Sequence, residues 1–290
     1  MSGDGVAAPA PRTGAPPPPA PDPWLRAAAI VASTLLLAFL ALPFVALLLR
    51  VSPVQLVAAL RGPVVLDALR LSLVTSLAST AIVVTLGLPL AYLLATREFR
   101  GKRVVEVLVD LPMVLPPTVA GFALLMAFGR AGLAGRTLAA FGWELPFTTA
   151  GVVVAQVFMS APFLVGPARA GFAGVEPRLL DAAATLRARE AFTFFHVALP
   201  LAMPSIVTGA AMCCARALGE FGATITFAGN LEGSTQTMPL AVYVALQSDL
   251  DAAVALSVLL LLMAFGLLVG LRLAPAGSFW SSSRARAARR

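Results

Sequence analysis

Arg216 and Glu220 stand four residues apart inside a long apolar run, residues 202–228. Even the lower estimates put a central Arg or Asp in a membrane span at about 2.5–3.5 kcal/mol, so something must compensate both charges. Their i, i+4 spacing lets them meet on one helix face and pair. Two uses are open to such a pair: a structural ion pair, or the lining of a path in which Arg216 attracts an anion. Gly219 and Thr224 lie in the same stretch and belong to the same candidate path.

The other reactive side chains exclude more than they suggest. The chain has a single histidine, His196, and two cysteines, Cys213 and Cys214. Adjacent cysteines on a helix point in different directions and cannot close an ordinary disulfide, so packing is their expected role. One imidazole and two cysteines placed apart cannot assemble a metal-ligand cluster. No Ser or Cys stands in a nucleophile elbow, and no phosphate-cradling G-x-x-x-x-G-K-[ST] is present. The chain therefore reads as neither an enzyme nor a nucleotide or cofactor binder, and any ATP must be handled by a partner.

Polar residues recur in two more places. Ser72, Thr75, Ser76, Ser79 and Thr80 fall on one helix face within an apolar segment. Such a face either lets helices pack closely through small residues or lines a pathway, for which Ser72, Thr75 and Ser79 are the candidates. In Leu111-Pro112-Met113-Val114-Leu115-Pro116-Pro117, three prolines each remove an N–H donor at the start of the third apolar segment. Irregular backbone at membrane depth must be satisfied inside the protein or beside a water-filled cavity, so Pro116, Pro117 and Thr118 join the candidate pathway.

The elements that position these residues follow from hydropathy. Apolar residues make up 59% of the chain and charged residues 12%, against about 45–50% and about 25% in soluble domains. Apolar segments cover residues 27–49, 71–94, 111–128, 149–172, 202–228 and 252–271. Each is long enough to cross a bilayer, which predicts an all-α integral membrane protein of about six transmembrane helices. The formal net charge of +7 would suit nucleic acid, but the arginines flank apolar runs and report topology instead. An N-inside assignment puts Arg97, Arg100, Lys102, Arg103, Arg169, Arg178, Arg187, Arg189 and the terminal arginines in the cytoplasm. It leaves Arg50, Arg61, Arg70, Arg130 and Arg136 outside, and both termini fall inside. Residues 1–23, rich in Pro, Ala and Gly, read as a disordered cytoplasmic tail. Residues 24–274 form the membrane domain and 275–290 a basic tail.

Between the fourth and fifth apolar segments, residues 176–200 are too polar to span and too rich in Ala and Leu to be a plain linker. A short surface helix is expected over 176–187, with Pro177 at its first position and the Glu176 carboxylate at its positive end. A second helical piece from Glu190 carries Phe192, Phe195 and Leu199 on a shared face and reaches Pro200. An aromatic patch at the water interface needs a partner or lipid headgroups to cover it.

Here a resemblance becomes usable. Asp181-Ala182-Ala183, followed at fixed distance by Val197-Ala198-Leu199-Pro200, resembles the EAA motif of ABC importer permeases. The resemblance implies a coupling helix seated in a groove of a cytoplasmic ATPase subunit. Asp181 takes the place of the usual Glu, Ala182 and Ala183 match, and Leu186, Phe194 and the Leu-Pro ending keep their spacing. Arg187 stands where the family has Gly. A non-Gly residue at φ > 0 costs on the order of 1 kcal/mol, which leaves the geometry of this turn open. The run from Gly219 to Asp251, with Leu115-Pro116-Pro117, resembles the permeases for molybdate, with those for tungstate and sulfate close behind. That family implies a type I ABC importer permease fold, a homodimer in the bilayer of the bacterial plasma membrane, ABC ATPase subunits and an external oxyanion-binding protein. A transporter that works without ATP is the alternative from another class.

Overall fold

A computed structural model describes residues 22–273. Of the tail expected over residues 1–23, all but the last two positions lie outside the described residues, as does the whole basic tail expected over 275–290. The described residues contain helices and no strand. Helix α1 (Pro23–Arg50) falls in a unit of its own. Its 28 residues, at about 1.5 Å each, exceed a hydrocarbon layer of about 30 Å.

The second unit carries the remaining helices: α2 (Pro53–Leu60), α3 (Pro63–Thr96), α4 (Lys102–Val114), α5 (Pro117–Phe128), α6 (Gly135–Ala140), α7 (Thr149–Ala173), α8 (Pro177–Thr185), α9 (Glu190–Thr193), α10 (Leu199–Leu218), α11 (Gly222–Phe227), α12 (Met238–Ser248) and α13 (Leu250–Leu273). A π-turn, Phe194–Ala198, joins α9 to α10, so Glu190–Leu218 runs as one helical stretch of 29 residues. Five helices are long and apolar enough to cross a membrane: α1, α3, α7, this joined stretch and α13.

The third apolar segment supplies its crossing in two pieces. Pro112 sits inside α4 and Pro117 opens α5; the break lies at Leu115 (ψ 136°) and Pro116 (ψ 131°), both extended. Proline ring sterics push the preceding residue out of the α region, so two consecutive prolines force two extended residues. The fifth segment, expected as one helix over 202–228, is also divided. It stops at Leu218, passes through Gly219 and Glu220, and resumes at Gly222.

Three long helices form the centre. Ala91 and Leu94 of α3, Val165, Ala168 and Phe172 of α7, and Ala202 and Ile206 of α10 make one buried cluster, with Val83, Leu164 and Cys213 continuing it along the same three helices. A second cluster joins Ala120 and Leu124 of α5 to Ala155 and Met159 of α7 and to Ala223 and Phe227 of α11. A third joins Ala68 of α3 to α12 and α13. Small residues dominate these seams because, between apolar helices in lipid, close van der Waals approach replaces the hydrophobic drive.

The closest approach lies between α5 and α11. A Cβ on Gly121 would sit 2.7 Å from the Thr226 Cβ and 2.8 Å from the Ala223 carbonyl; one on Gly222 would sit 2.6 Å from the Pro117 Cβ. Either side chain would have to push the half-helices apart. Gly121→Ala is therefore expected to cost about 1–3 kcal/mol as overpacking. Gly166→Ala, with nothing within 4 Å of the new methyl, serves as control. Thermal unfolding in detergent checks the pair, and equal midpoints for the two variants would overturn the packing argument.

Candidate functional site

Two localities collect the residues singled out in the sequence. The first is where the two broken helices meet. Helix α4 is 13 residues long, about 20 Å, so the break after it falls partway through a hydrocarbon layer of about 30 Å. Its backbone is nonetheless accounted for: Leu115 N–H donates to the Leu111 carbonyl at 3.2 Å, and the Pro116 carbonyl accepts from Ala120 at 3.0 Å. In the facing break, Gly219 and Glu220 N–H groups donate to Ala215 and Ala217, each at 3.1 Å. Glu220 supplies what the backbone cannot. Its Oε1 accepts from the Ala223 N–H at 2.8 Å, capping the start of α11, while Oε2 lies 2.6 Å from an Arg216 guanidinium nitrogen.

The carboxylate is 1% exposed and the guanidinium side chain 24% exposed. The Oε2 contact lacks the alignment of a hydrogen bond, so Arg216 neutralises Glu220 by proximity of charge. The ion pair anticipated from the i, i+4 spacing therefore exists, and it also builds the break. Thr224 is fully buried, with a hydroxyl that has no partner. Pro116, Pro117 and Thr118 are exposed on the surface of this subunit.

The hydroxyl face of α3 sits elsewhere. Ser72, Thr75, Ser76 and Ser79 have no exposure at all. Thr75 and Ser79 donate to carbonyls one turn back, at 2.8 and 2.7 Å, and Ser79 also lies 2.9 Å from the Gln156 Oε1. Ser72 accepts from the Met238 N–H at 2.7 Å, fixing the start of α12. Helix packing, the first of the two uses weighed for this face, accounts for these contacts. Ser72, Thr75 and Ser79 do not border the exposed break at Pro116–Thr118.

The second locality is the 176–200 segment. Pro177 opens α8, the position its missing N–H suits. Helix α8 ends in a left-handed cap: Arg187 has φ 53°, and the Ala188 N–H donates to the Ala183 carbonyl at 3.0 Å, the six-to-one bond of a Schellman ending. The chain thus keeps a turn that favours glycine and holds an arginine in it, at a cost of about 1 kcal/mol. Leu186, Phe192 and Phe195 are exposed, Ala183 is buried, and a groove of about 660 Å³ runs between α8 and α9, lined by Leu179, Ala182, Leu186 and Phe192 among others. Glu176 and Asp181 are exposed on α8's side of the segment, whereas Leu199 packs against the central cluster and Pro200 is exposed at the start of α10.

What sequence reasoning missed is the joint beneath this segment. Phe194 meets Tyr92 of α3 edge-on at 4.9 Å and lies 5.9 Å from Phe172 of α7, itself 5.4 Å from Tyr92. Arg97, after α3, pairs with Glu190 at the start of α9, and Arg169 of α7 pairs with Glu106 of α4 at 2.7 Å. Phe194 carried a spacing signal; Tyr92 and Phe172 carried none, because nothing local distinguishes them from other apolar positions on long helices.

Over residues 84–273 the chain matches the family described as binding-protein-dependent transport system inner membrane component. It is 47% identical over 236 residues to the molybdenum transport system permease protein ModB of Mycobacterium tuberculosis, covering 80% of this chain and 88% of the relative. The Escherichia coli K12 protein of the same description is 40% identical over 183 residues, 63% of this chain and 80% of that one. Among solved structures, a bacterial ABC transporter involved in the import of the acidic polysaccharide alginate aligns with a TM-score of 0.70 at 15% identity, over 86% of this chain and 94% of that chain.

The geometry of the first locality makes a quantitative demand. Glu220→Ala removes a helix cap and strands a partly buried cation, and should cost about 2 kcal/mol, below the range for fully buried pairs because Arg216 reaches solvent. Adding Arg216→Met should restore part of that loss. Unfolding midpoints around the double-mutant cycle test this; a coupling energy below about 0.5 kcal/mol would mean the two side chains act independently.

Proposed function

Because the chain belongs to the family of binding-protein-dependent transport system inner membrane components, with the type I ABC importer permease fold, we propose that it is the membrane-spanning subunit of an ATP-binding-cassette importer that moves molybdate inward by alternating access. The observation that carries the reading is the 176–200 segment: an exposed pair of short helices, continuous through the π-turn with a long apolar helix and clamped to two others by Phe194, Tyr92 and Phe172. A surface element that rigid can convey a push. The choice of molybdate rests on the 47% identity to a molybdenum transport permease.

In this reading residues 176–200 face the cytoplasm, both termini lie inside, and α8 sits in a groove of the ATPase subunit. Glu176, Asp181, Ala182, Ala183 and Leu186 make the contact, and Leu199 and Pro200 anchor it to α10. Two copies of the chain enclose the pathway. Pro116, Pro117 and Thr118 line it, because they are the exposed residues of the broken helices. Arg216 supplies positive potential beside them, attractive to an oxyanion. Gly219, Glu220 and Thr224 form the hinge behind that lining, and Ser72, Thr75 and Ser79 hold its supporting helix. Substrate arrives on an external oxyanion-binding protein, and ATP-driven closure of the ATPases draws the two 176–200 segments together and opens the cavity outward.

Reconstituted permease with its ATPase should hydrolyse ATP faster when the molybdate-loaded binding protein is added. Stimulation by a sulfate-loaded or tungstate-loaded protein alone would move the assignment to that anion. Ala183→Arg, placing a cation where Ala183 is buried in α8, should release or uncouple the ATPase. Unchanged uptake by that variant would instead favour a carrier working without ATP.

A further inference from the structure

The segment holds a local conflict that nothing within the subunit resolves. Arg187 adopts φ 53°, a conformation that glycine enters freely and L side chains do not. Strain of this kind persists where surrounding structure or function demands it. The usual local returns are missing: the Arg187 side chain is exposed and, among the described residues, it forms no ion pair and no hydrogen bond.

A general preference for cytoplasmic cations does not account for it either. That preference is met by Lys or Arg at any nearby position, and Arg189, two residues on, meets it with φ −66° and no strain. Only a requirement for a cation at this one point of the turn explains an arginine there.

The surroundings indicate what the cation faces. Arg187 and Arg189 flank the mouth of the apolar groove between α8 and α9, next to Leu186, which is 82% exposed. The anions nearest in sequence are otherwise placed: Glu190 is held by Arg97, Glu176 lies 3.8 Å from Arg178, and Asp181 sits on α8 before the turn, with no ion pair among the described residues. The turn therefore presents two free cations beside an apolar contact surface, the pattern of an interface rim that selects its partner by charge.

We propose that Arg187, with Arg189, contacts a carboxylate-bearing edge of the ATPase groove and sets which ATPase this permease accepts. The proposal rests on the ATPase reading given above. Rim charges act mainly on encounter rate and salt dependence.

The test titrates the ATPase subunit onto full-length permease in nanodiscs of purely zwitterionic lipid. Arg187→Gly should weaken binding about threefold and Arg187→Glu about tenfold, Arg187→Lys should stay within about twofold of wild type, and the differences should vanish at high salt, where exposed pairs are screened. Permease alone carrying Arg187→Gly should melt at a higher temperature than wild type, the reverse of its effect on binding. Wild-type affinity for Arg187→Glu would overturn the proposal. So would a loss that appears only in discs containing anionic lipid, which would assign the cation to headgroups. Failure of wild type and all variants alike to bind the ATPase would sink the ATPase reading itself.

Discussion

Every backbone N–H and C=O that enters the hydrocarbon layer must find its partner inside the protein, and the arrangement of this chain follows from how that demand is met where helices stop. Unbroken helices satisfy it automatically, so α3, α7 and α13 need nothing special. The two interruptions do. At Leu115–Pro116 the sequence removes donors: two prolines have no N–H to leave unpaired, and the carbonyl of Pro116 is taken by Ala120. At Gly219–Phe221 the sequence adds an acceptor instead, the Glu220 carboxylate on the Ala223 N–H. That acceptor brings a charge, and the charge brings Arg216. An apolar run with an arginine and a glutamate in it is thus a consequence of breaking a helix there. The breaks then touch, through Gly121 and Gly222, because only residues without a Cβ let the two half-helices approach so closely.

This dependence explains what was legible in the residues. The apolar segments, the cytoplasmic-type charge clusters and the short helix opened by Pro177 all arise from local chemistry that a sequence displays. So does the Arg216–Glu220 pair, since i, i+4 spacing is a property of the chain alone. The break at Leu115–Pro116 was visible as an irregularity, though its placement between two helices of unequal length was not. The division of 202–228 was hidden because Gly219 and Glu220 are each tolerated inside a helix; only the Ala223 N–H, three residues on, shows why the helix ends. The serine and threonine face of α3 admitted two readings because spacing tells which residues share a face and not what lies opposite. Gln156 and the Met238 N–H lie opposite, and both are distant in sequence. The Tyr92–Phe172–Phe194 joint is hidden for the same reason.

The contrast between the two localities bears on mechanism. The 176–200 segment is tied to the helices at fixed points: an aromatic cluster of low adaptability, and the Arg97–Glu190 pair across α3 and α9. The α5–α11 contact is held by shape, with glycines leaving no slack. Between them lies α10, which begins in a π-turn and ends at Glu220. A π-turn carries one more residue per hydrogen-bonded ring than the α-helix around it, and such turns occur often at functional sites. The two ends of α10 are therefore its least regular parts, while its middle is packed against α3 and α7 through Ala202, Ile206 and Cys213. A displacement applied at Phe194 can be absorbed by the π-turn or passed along α10 as a rigid rod. Phe194's contacts with both Tyr92 and Phe172 favour the second course, because absorbing the motion locally would pull the ring from two neighbours at once. The rod would then move Glu220 relative to Ala223 and Pro117, so the place where the backbone demand is met least redundantly is also where a stroke on the importer reading would arrive.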